Sequence, residues 1–413
     1  MNSNNLTTQD FLIIGAGILG LTVAWELKNR FPRASIAILE KESAPGFHAS
    51  GRNSGVLHSG IYYPKNTLKA QVCSRGSLLM RTFAKEEGIS CERRGKIIIP
   101  TSPSELPILD QLLLNARDNG IEAECLDAEE IRKIEPYAAP YEKGIHIRDI
   151  YVIDGKEVTR KLHELLESRG VRFYWDHRVT DLDDKSRSVS SADRHFGYGM
   201  LFNCAGAYSE AMAKKCGLGK RYAMVPFKGI YFKLRPESVD LVRGNIYPVP
   251  DLSMPFLGVH LTRGISGDVY IGPSSMPALG REHYYGVFHT SEPTETLRIV
   301  YRLVDLYMAD NQNFRKMVYA EGQKLLKRHF LNAARRLVPK ITEDDVVKTM
   351  KRGIRPQLVD IQKKSLVMDY VLEKTETSIH VLNAISPAFT SSFEFAKLIV
   401  DQSLLVSSDR KDL

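Results

Sequence analysis

The sequence predicts an α/β protein in which a Rossmann-like dinucleotide-binding domain is interleaved with an α+β substrate domain built on an antiparallel sheet. Three observations carry this. The stretch Phe11 to Glu40, FLIIGAGILGLTVAWELKNRFPRASIAILE, reads as strand, glycine turn, helix and second strand. A later run, MLFNCAGAYSE from Met200, reads as another buried strand ending in Ala205 and Gly206, where a second backbone segment can touch a dinucleotide. Between Ala223 and Glu343, strands such as GIYFKL and DVYIGP alternate with proline-rich turns. At 413 residues the chain exceeds the usual size of one core, so two structural domains share it.

Gly15, Gly17 and Gly20 form G-x-G-x-x-G. The spacing supplies a tight turn, a close backbone approach to pyrophosphate and close packing of helix on strand, with Ile18 and Leu19 at the helix N-terminus that faces the phosphates. Glu40 lies twenty residues beyond Gly20, where a carboxylate accepts hydrogen bonds from a ribose 2′-hydroxyl and disfavours a 2′-phosphate, which argues against NADP. Lys41 follows it. The small and polar run Ala44 to Gly60 is too poor in apolar residues for a core element and can run against a cofactor, with Arg52, Asn53 and Ser54 as donors between Gly51 and Gly55.

Apolar residues at helical spacing then predict a helix from Leu68 to about Glu87. Arg93 to Pro100 reads as a strand, Val158, Leu162, Leu165 and Leu166 as a helix face, and Val171 to Tyr174 as a strand. A helical segment is expected from about Thr294 to Val338, and a closing helix from Pro387 to Gln402, with Ser386 at its N-cap and Pro387 at N1. The expected domains are residues 1–90, 150–222 and 345–413 for the cofactor, and 91–149 and 223–344 for the substrate. The polar ends, MNSNNLTTQ and SSDRKDL, look frayed.

Hydrophobic content of 43% and charged content of 26% are those of an ordinary globular protein. Five widely spaced cysteines (Cys73, Cys91, Cys125, Cys204, Cys216) include no C-x-x-C and no metal-ligand spacing, so reduced thiols in a cytoplasmic protein and no metal are expected. The apolar run Phe11 to Trp25 is too short to span a bilayer and has no basic segment before it. The net charge of +8 is dispersed and RNP or zinc-finger motifs are absent, so nucleic acid is not an expected partner. The densest basic group, Lys324, Lys327, Arg328, Arg335 and Arg336, reads as a solvated helix face, with peripheral contact to the inner face of a membrane as the alternative.

The run GRNSGVLHSGIYYPKNTLKA, followed in order by FKGIYFKL, IYPVPDLSMPFLGVHLTR, GIRPQLV and LNAISPAFTSS, resembles the L-2-hydroxyglutarate oxidase and dehydrogenase family. That family belongs to the glycine-oxidase and D-amino-acid-oxidase superfamily of FAD enzymes, and the likeness spans nearly the whole chain. The resemblance implies a glycine-oxidase-like fold and FAD, held non-covalently, with a covalent link through His58 as the alternative. It also places Val179 where the adenine meets backbone, and the segment Ser386, Pro387, Ala388 and Thr390 where a helix aims its positive end at the flavin pyrimidine.

The implied reaction is oxidation of an L-2-hydroxy dicarboxylate, L-2-hydroxyglutarate to 2-oxoglutarate, by hydride transfer to flavin N5. Oxygen, a quinone or a carrier protein would take the electrons. Such chemistry needs a carboxylate clamp and a base. By resemblance Arg355 of GIRP is the clamp, binding through a planar guanidinium. Lys228 and Arg263 either meet a distal carboxylate or form structural ion pairs. His58 and His260 are base or structural imidazoles, and Tyr62, Tyr63 and Tyr231 are substrate donors or packing residues. Ile385, Phe389 and Pro356 depart from the family pattern beside the substrate and bear on which 2-hydroxy acid fits. A flavin amine or amino-acid oxidase and a non-catalytic FAD-binding assembly protein are the other readings.

Overall fold

The computed structural model describes residues 7–408 apart from 193, 252, 253, 255, 286–291 and 324–326, with side chains to 404. Its first layer is an eight-stranded sheet centred on Thr7–Ile14. That strand pairs in parallel with Ile36–Leu39 on one side and Arg194–Asn203 on the other. Arg172–Tyr174 extends one edge in parallel, and Ser378–Asn383 runs parallel beside Arg194–Asn203. Leu12, Ile13 and Ile14 are all buried, as a strand covered on both faces requires. Thr7 pairs with Phe196, so Thr7, Thr8 and Gln9, expected within a frayed end, belong to the strand, and the rest of that run lies outside the described residues.

Helices Ile18–Arg30, Leu68–Glu86, Gly155–Ser168 and Ala388–Ser408 contribute to the core over this sheet. Two of them touch where a side chain is missing. A Cβ on Gly76 would stand 2.5 Å from the Cα of Ser391, so the helices Leu68–Glu86 and Ala388–Ser408 meet backbone to backbone.

The second layer is a ten-stranded sheet. Its long members, Tyr222–Leu234 and Val346–Asp360, run antiparallel, with Phe227 opposite Arg355. Val269–Gly272, His260–Arg263 and Asn245–Pro248 continue it antiparallel, and Asn245–Pro248 then pairs in parallel with Lys96–Ile99. Helix Lys327–Leu337 covers one face through Phe330, Leu331, Ala334 and Leu337. The helical stretch before it is divided: Pro293–Ala309 ends at Asp310, in left-handed backbone at φ 54°, and Phe314–Gln323 follows.

Two sequence boundaries change. Val346–Asp360 falls within residues 345–413, the segment expected to serve the cofactor, yet it pairs along Tyr222–Leu234 in the ten-stranded sheet, next to the short edge strand Ser365–Leu366. The stretch from Arg93 to Pro100 is not one strand. Gly95, at φ 64°, turns the chain between Cys91–Arg93 and Lys96–Ile99, which join different sheets. Cys91–Arg93 belongs to a small sheet with Tyr151–Ile153 and Val56–Leu57.

Candidate active site

A cavity of about 450 Å³ lies between the two sheets and reaches from the glycine turn to Tyr231, Tyr247 and His260. At its first end Gly15, Gly17, Ile18 and Leu19 form the wall. Gly15 has φ +102°, and a Cβ there would stand 2.6 Å from the carbonyl oxygen of Cys204. Gly20 is not in the wall. A Cβ on it would collide with the Gly15 carbonyl, so this glycine lets the helix sit against the turn.

The Ile18 N–H donates to Ser50 Oγ at 2.9 Å, which brings a hydroxyl to the helix N-terminus. Glu40 accepts from Ala16 N at 2.7 Å and from Glu42 N at 3.0 Å, leaving lone pairs of a fixed carboxylate for the cavity. Val179, Ala205 and Gly206 line the same end. Backbone N–H groups, a bare glycine surface and an oriented carboxylate fit a dinucleotide with an unphosphorylated ribose.

Lys41 also lines the cavity, but its ammonium group is engaged by Glu42, by Glu282 at 2.5 Å and by His48 Nε2 at 2.8 Å. Glu42, His48 and Glu282 have the composition of a metal site, and the lysine ties them into an ion-pair network instead. His48 Nδ1 is 2.9 Å from the Tyr284 hydroxyl, so the network fastens the loop after Glu40 to the segment around Tyr284.

Arg52, Asn53 and Ser54 line the middle of the cavity. Asn53 braces the loop by donating to Ser50 O at 2.8 Å and accepting from Gly55 N at 2.8 Å. Arg52 stacks over Tyr284, 4.3 Å from the ring centre. Gly55, at φ +81°, stays outside the wall, where a Cβ would stand 2.5 Å from Ile153 O. Opposite, the closing helix begins at Ala388 and accepts its first bond at Pro387 O, so Pro387 takes the capping position and Ser386 precedes it, one residue later than expected. Ser386, Pro387, Ala388 and Thr390 line the cavity, and Thr390 Oγ1 accepts from the His58 N–H at 3.1 Å.

At the far end stand His58, Phe227, Tyr231, Tyr247, His260 and Arg355. Strand alternation decides who reaches it. Phe227, Gly229 and Tyr231 line the cavity, so Lys228 between them points to the other face of the sheet. Arg263 is outside as well: its Nη1 donates to Val242 O at 3.1 Å and lies 3.5 Å from Asp240. Neither residue reaches a distal carboxylate in this cavity. Tyr63 stands behind the wall as an electrostatic neighbour of Arg355, and burial raises its phenol well above the usual range.

Arg355 is half-buried with its guanidinium over Phe256, 4.8 Å from that ring centre, and among the described residues no carboxylate forms a salt bridge with it. Desolvation lowers its pKa, opposed by Tyr63, Tyr231 and Glu321. His58 is pushed down to about 3 by burial and by Lys96, His260 and Arg355, so its imidazole is neutral at physiological pH. His260 stacks on Tyr247 with ring centres 3.9 Å apart and donates from Nδ1 to Gly258 O at 2.9 Å, which makes Nε2 the acceptor atom of the neutral ring.

Sequence reading missed Ser50, His48, Tyr247 and Tyr284, which carry no motif of their own. It also missed Lys96, whose signal was a charge at the head of the apolar run KIII.

The family model for FAD dependent oxidoreductases (DAO) matches residues 10–402. The chain is 35% identical to L-2-hydroxyglutarate dehydrogenase of Escherichia coli (strain K12), over 96% of this chain and 94% of that protein. It is 32% identical to the mitochondrial L-2-hydroxyglutarate dehydrogenase of Caenorhabditis elegans, over 97% and 94%. Among solved structures, the L-α-glycerophosphate oxidase of Mycoplasma pneumoniae with FAD bound superposes with TM-score 0.72 at 19% identity, covering 96% of this chain and 95% of that one. Glycine oxidase of Bacillus cereus ATCC 14579 gives 0.68 at 16%, covering 97% and 95%. With its glycine turn, oriented Glu40 and cavity between two interleaved sheets, the chain belongs to the DAO family of FAD dependent oxidoreductases.

Proposed function

We propose that the protein oxidises L-2-hydroxyglutarate, or a closely similar L-2-hydroxy dicarboxylate, to the 2-oxo acid. The observation that carries this reading is Arg355, a guanidinium without a carboxylate partner among the described residues, beside two imidazoles at the end of a cofactor-sized cavity. The names of the relatives agree with it. Bound FAD would supply the hydride acceptor. Arg355 binds the carboxylate next to the hydroxyl-bearing carbon, and its planar fork fixes orientation as well as position. His260 is the stronger claimant as base, because its tautomer presents Nε2, whereas the cations around His58 oppose a proton there.

The test is anaerobic mixing of the purified protein with L-2-hydroxyglutarate, its D-enantiomer and a panel of amino acids, watched at the flavin absorbance. Bleaching by the L-hydroxy acid alone is the expected result. Bleaching by amino acids instead would move the protein to the amino-acid oxidases, and no bleaching by any of them would favour an assembly role. In the same preparation, FAD should be released on denaturation, which tests for a non-covalent cofactor. Glu40→Ala should weaken FAD retention by about 1–3 kcal/mol, the worth of charge-assisted hydrogen bonds, with the fold intact; unchanged affinity in a titration of apoprotein would show that Glu40 does not hold the ribose.

For the electron acceptor we favour a quinone reached at an anionic lipid surface. No helix among the described residues is long and apolar enough to cross a membrane. Helix Pro293–Ala309, however, exposes Leu297, Tyr301, Val304 and Met308 at 69%, 62%, 54% and 67%, positions that share one face. Arg298 is exposed beside this stripe. Of the basic group picked out by sequence, Arg335 donates to Ile341 O, Arg336 reaches Glu105 and Lys327 donates to Glu343 O, while Arg328 is exposed and Lys324 lies outside the described residues. Sedimentation with vesicles containing anionic lipid should carry the protein down, and Leu297→Glu with Met308→Glu should release it. Equal sedimentation of the double variant would exclude this face.

A further inference from the structure

The loop after Glu40 and residues 281–285 come from different sheets and meet at the cavity. The loop leaves strand Ile36–Leu39 of the eight-stranded sheet. Residues 281–285 follow strand Met276–Pro277, which pairs with Tyr222–Leu234 in the ten-stranded sheet. Arg281, Glu282 and Tyr284 line the cavity, whereas Tyr285 does not line it and is exposed. A single thickness of chain therefore stands between cavity and solvent at this point.

Residues 281–285 belong to no helix or strand. Two of the backbone N–H groups bond locally, His283 to Gly280 O at 3.3 Å and Tyr284 to Glu282 O at 2.8 Å. Contacts through side chains fasten the segment on three sides. From the loop, Lys41 pairs with Glu282 at 2.5 Å, and the His48 ring stacks on Tyr284 with centres 5.9 Å apart while its Nδ1 meets the tyrosine hydroxyl. From the chain just beyond Gly206, Glu210 pairs with Arg281 at 3.1 Å, and Tyr208 lies under the same guanidinium, 5.1 Å from it. From strand Val346–Asp360, Arg352 Nη1 donates to Tyr284 O at 3.3 Å. Polar contacts of partly exposed groups break at small cost and leave both cores intact, so this segment can open by itself.

The loop it holds belongs to the cofactor's end of the cavity. That loop continues from Glu40, and between His48 and Arg52 it sets Ser50 Oγ against the Ile18 N–H of the glycine-turn helix. A dinucleotide between two sheets cannot pass through either hydrogen-bonded ladder, so its way in and out is where side chains alone close the cavity. We propose that residues 281–284 are a strap across the FAD site, latched by Lys41 with Glu282 and by His48 with Tyr284, and that opening of this latch governs release of the cofactor. The strap acts on FAD whichever substrate reduces it, and is independent of the hydroxy-acid reading.

The test is the rate at which FAD leaves the loaded protein, followed by flavin fluorescence in solution, together with the rate at which apoprotein takes FAD up. Glu282→Gln and Tyr284→Phe should each speed release by about 3- to 30-fold, the range between a partly exposed polar contact and a charge-assisted hydrogen bond. Uptake should be as fast as in wild type or faster. Release from wild type should accelerate as salt rises, because the attraction between Lys41 and Glu282 is screened, and Glu282→Gln should lose most of that dependence. Glu164→Gln, which removes an exposed ion pair with Arg160 on helix Gly155–Ser168, is the control and should release FAD at the wild-type rate. Wild-type release from both strap variants would overturn the proposal. Slower uptake with unchanged release would do the same, since the residues would then shape the site without latching it. A role confined to the fold would lower the Tm of the apoprotein and leave release from Glu282→Gln as salt-dependent as in wild type, which also overturns it. FAD that stays attached on denaturation, or failure of both strap variants to fold, likewise rules out a latch that governs release.

Discussion

Arg355→Met should lower kcat/KM for L-2-hydroxyglutarate by about two to three orders of magnitude, the effect of removing a charged contact worth about 3–4 kcal/mol, with FAD content intact. The strand pairing explains why so much rests on this side chain. Arg355 sits opposite Phe227 in the longest ladder of the ten-stranded sheet, which fixes its backbone. Its guanidinium has no carboxylate partner of its own among the described residues. Arg355→Lys should also lose activity despite the retained charge, because a point charge holds position without fixing rotation. kcat should fall in both variants, since orientation counts in the transition state as well as in binding. If attraction alone matters, the lysine variant recovers full kcat at high substrate. That recovery, or wild-type kinetics in the methionine variant, would remove Arg355 from the clamp.

Gly20→Ala should cost about 3 kcal/mol or more and abolish FAD retention. The added Cβ would lie inside contact distance of the Gly15 carbonyl, with Ile13 Cγ2 only 3.3 Å away. Backbone cannot move aside as a flexible side chain does, so the helix must lift and its N-terminal N–H groups leave the cavity. Gly322, in helix Phe314–Gln323, is the control: a Cβ there meets nothing within 4 Å. Gly322→Ala should stabilise by about 0.5–1 kcal/mol through helix propensity. Thermal denaturation and FAD absorbance of the two variants distinguish a packing glycine from a replaceable one. Equal stability of both would refute the packing role of Gly20.

What could be read from the sequence follows the range of the forces involved. The segment Phe11 to Glu40 was legible because its elements are consecutive and each glycine answers to a local need. Arg355 was legible only through a family motif, since nothing in GIRP itself announces burial. Lys228 was misplaced because alternation along a strand says which residues share a face but not which face meets a cavity; the pairing of Phe227 with Arg355 decides that. The network of His48 with Tyr284 joins residues 236 positions apart, beyond any periodicity. Val346–Asp360 was given to the cofactor part because it precedes the closing helix, whereas its pairing along Tyr222–Leu234 puts it in the other sheet.

The interleaving of the two sheets also governs how the protein comes into being. Strand Ser378–Asn383 pairs beside Arg194–Asn203, and helix Ala388–Ser408 packs on Ile18–Arg30 and Leu68–Glu86. The first core assembled around the glycine turn thus stays open until residues 378–408 have left the ribosome. At ~5–20 residues per second, the buried strand Thr7–Ile14 waits roughly 20–80 s for its full cover. During that time an apolar strand meant for burial on both faces lacks its C-terminal partners, and parallel pairing over such separations is slow. Yield in a cell should therefore depend on chaperone capacity and growth temperature more steeply than the stability of the finished enzyme would suggest.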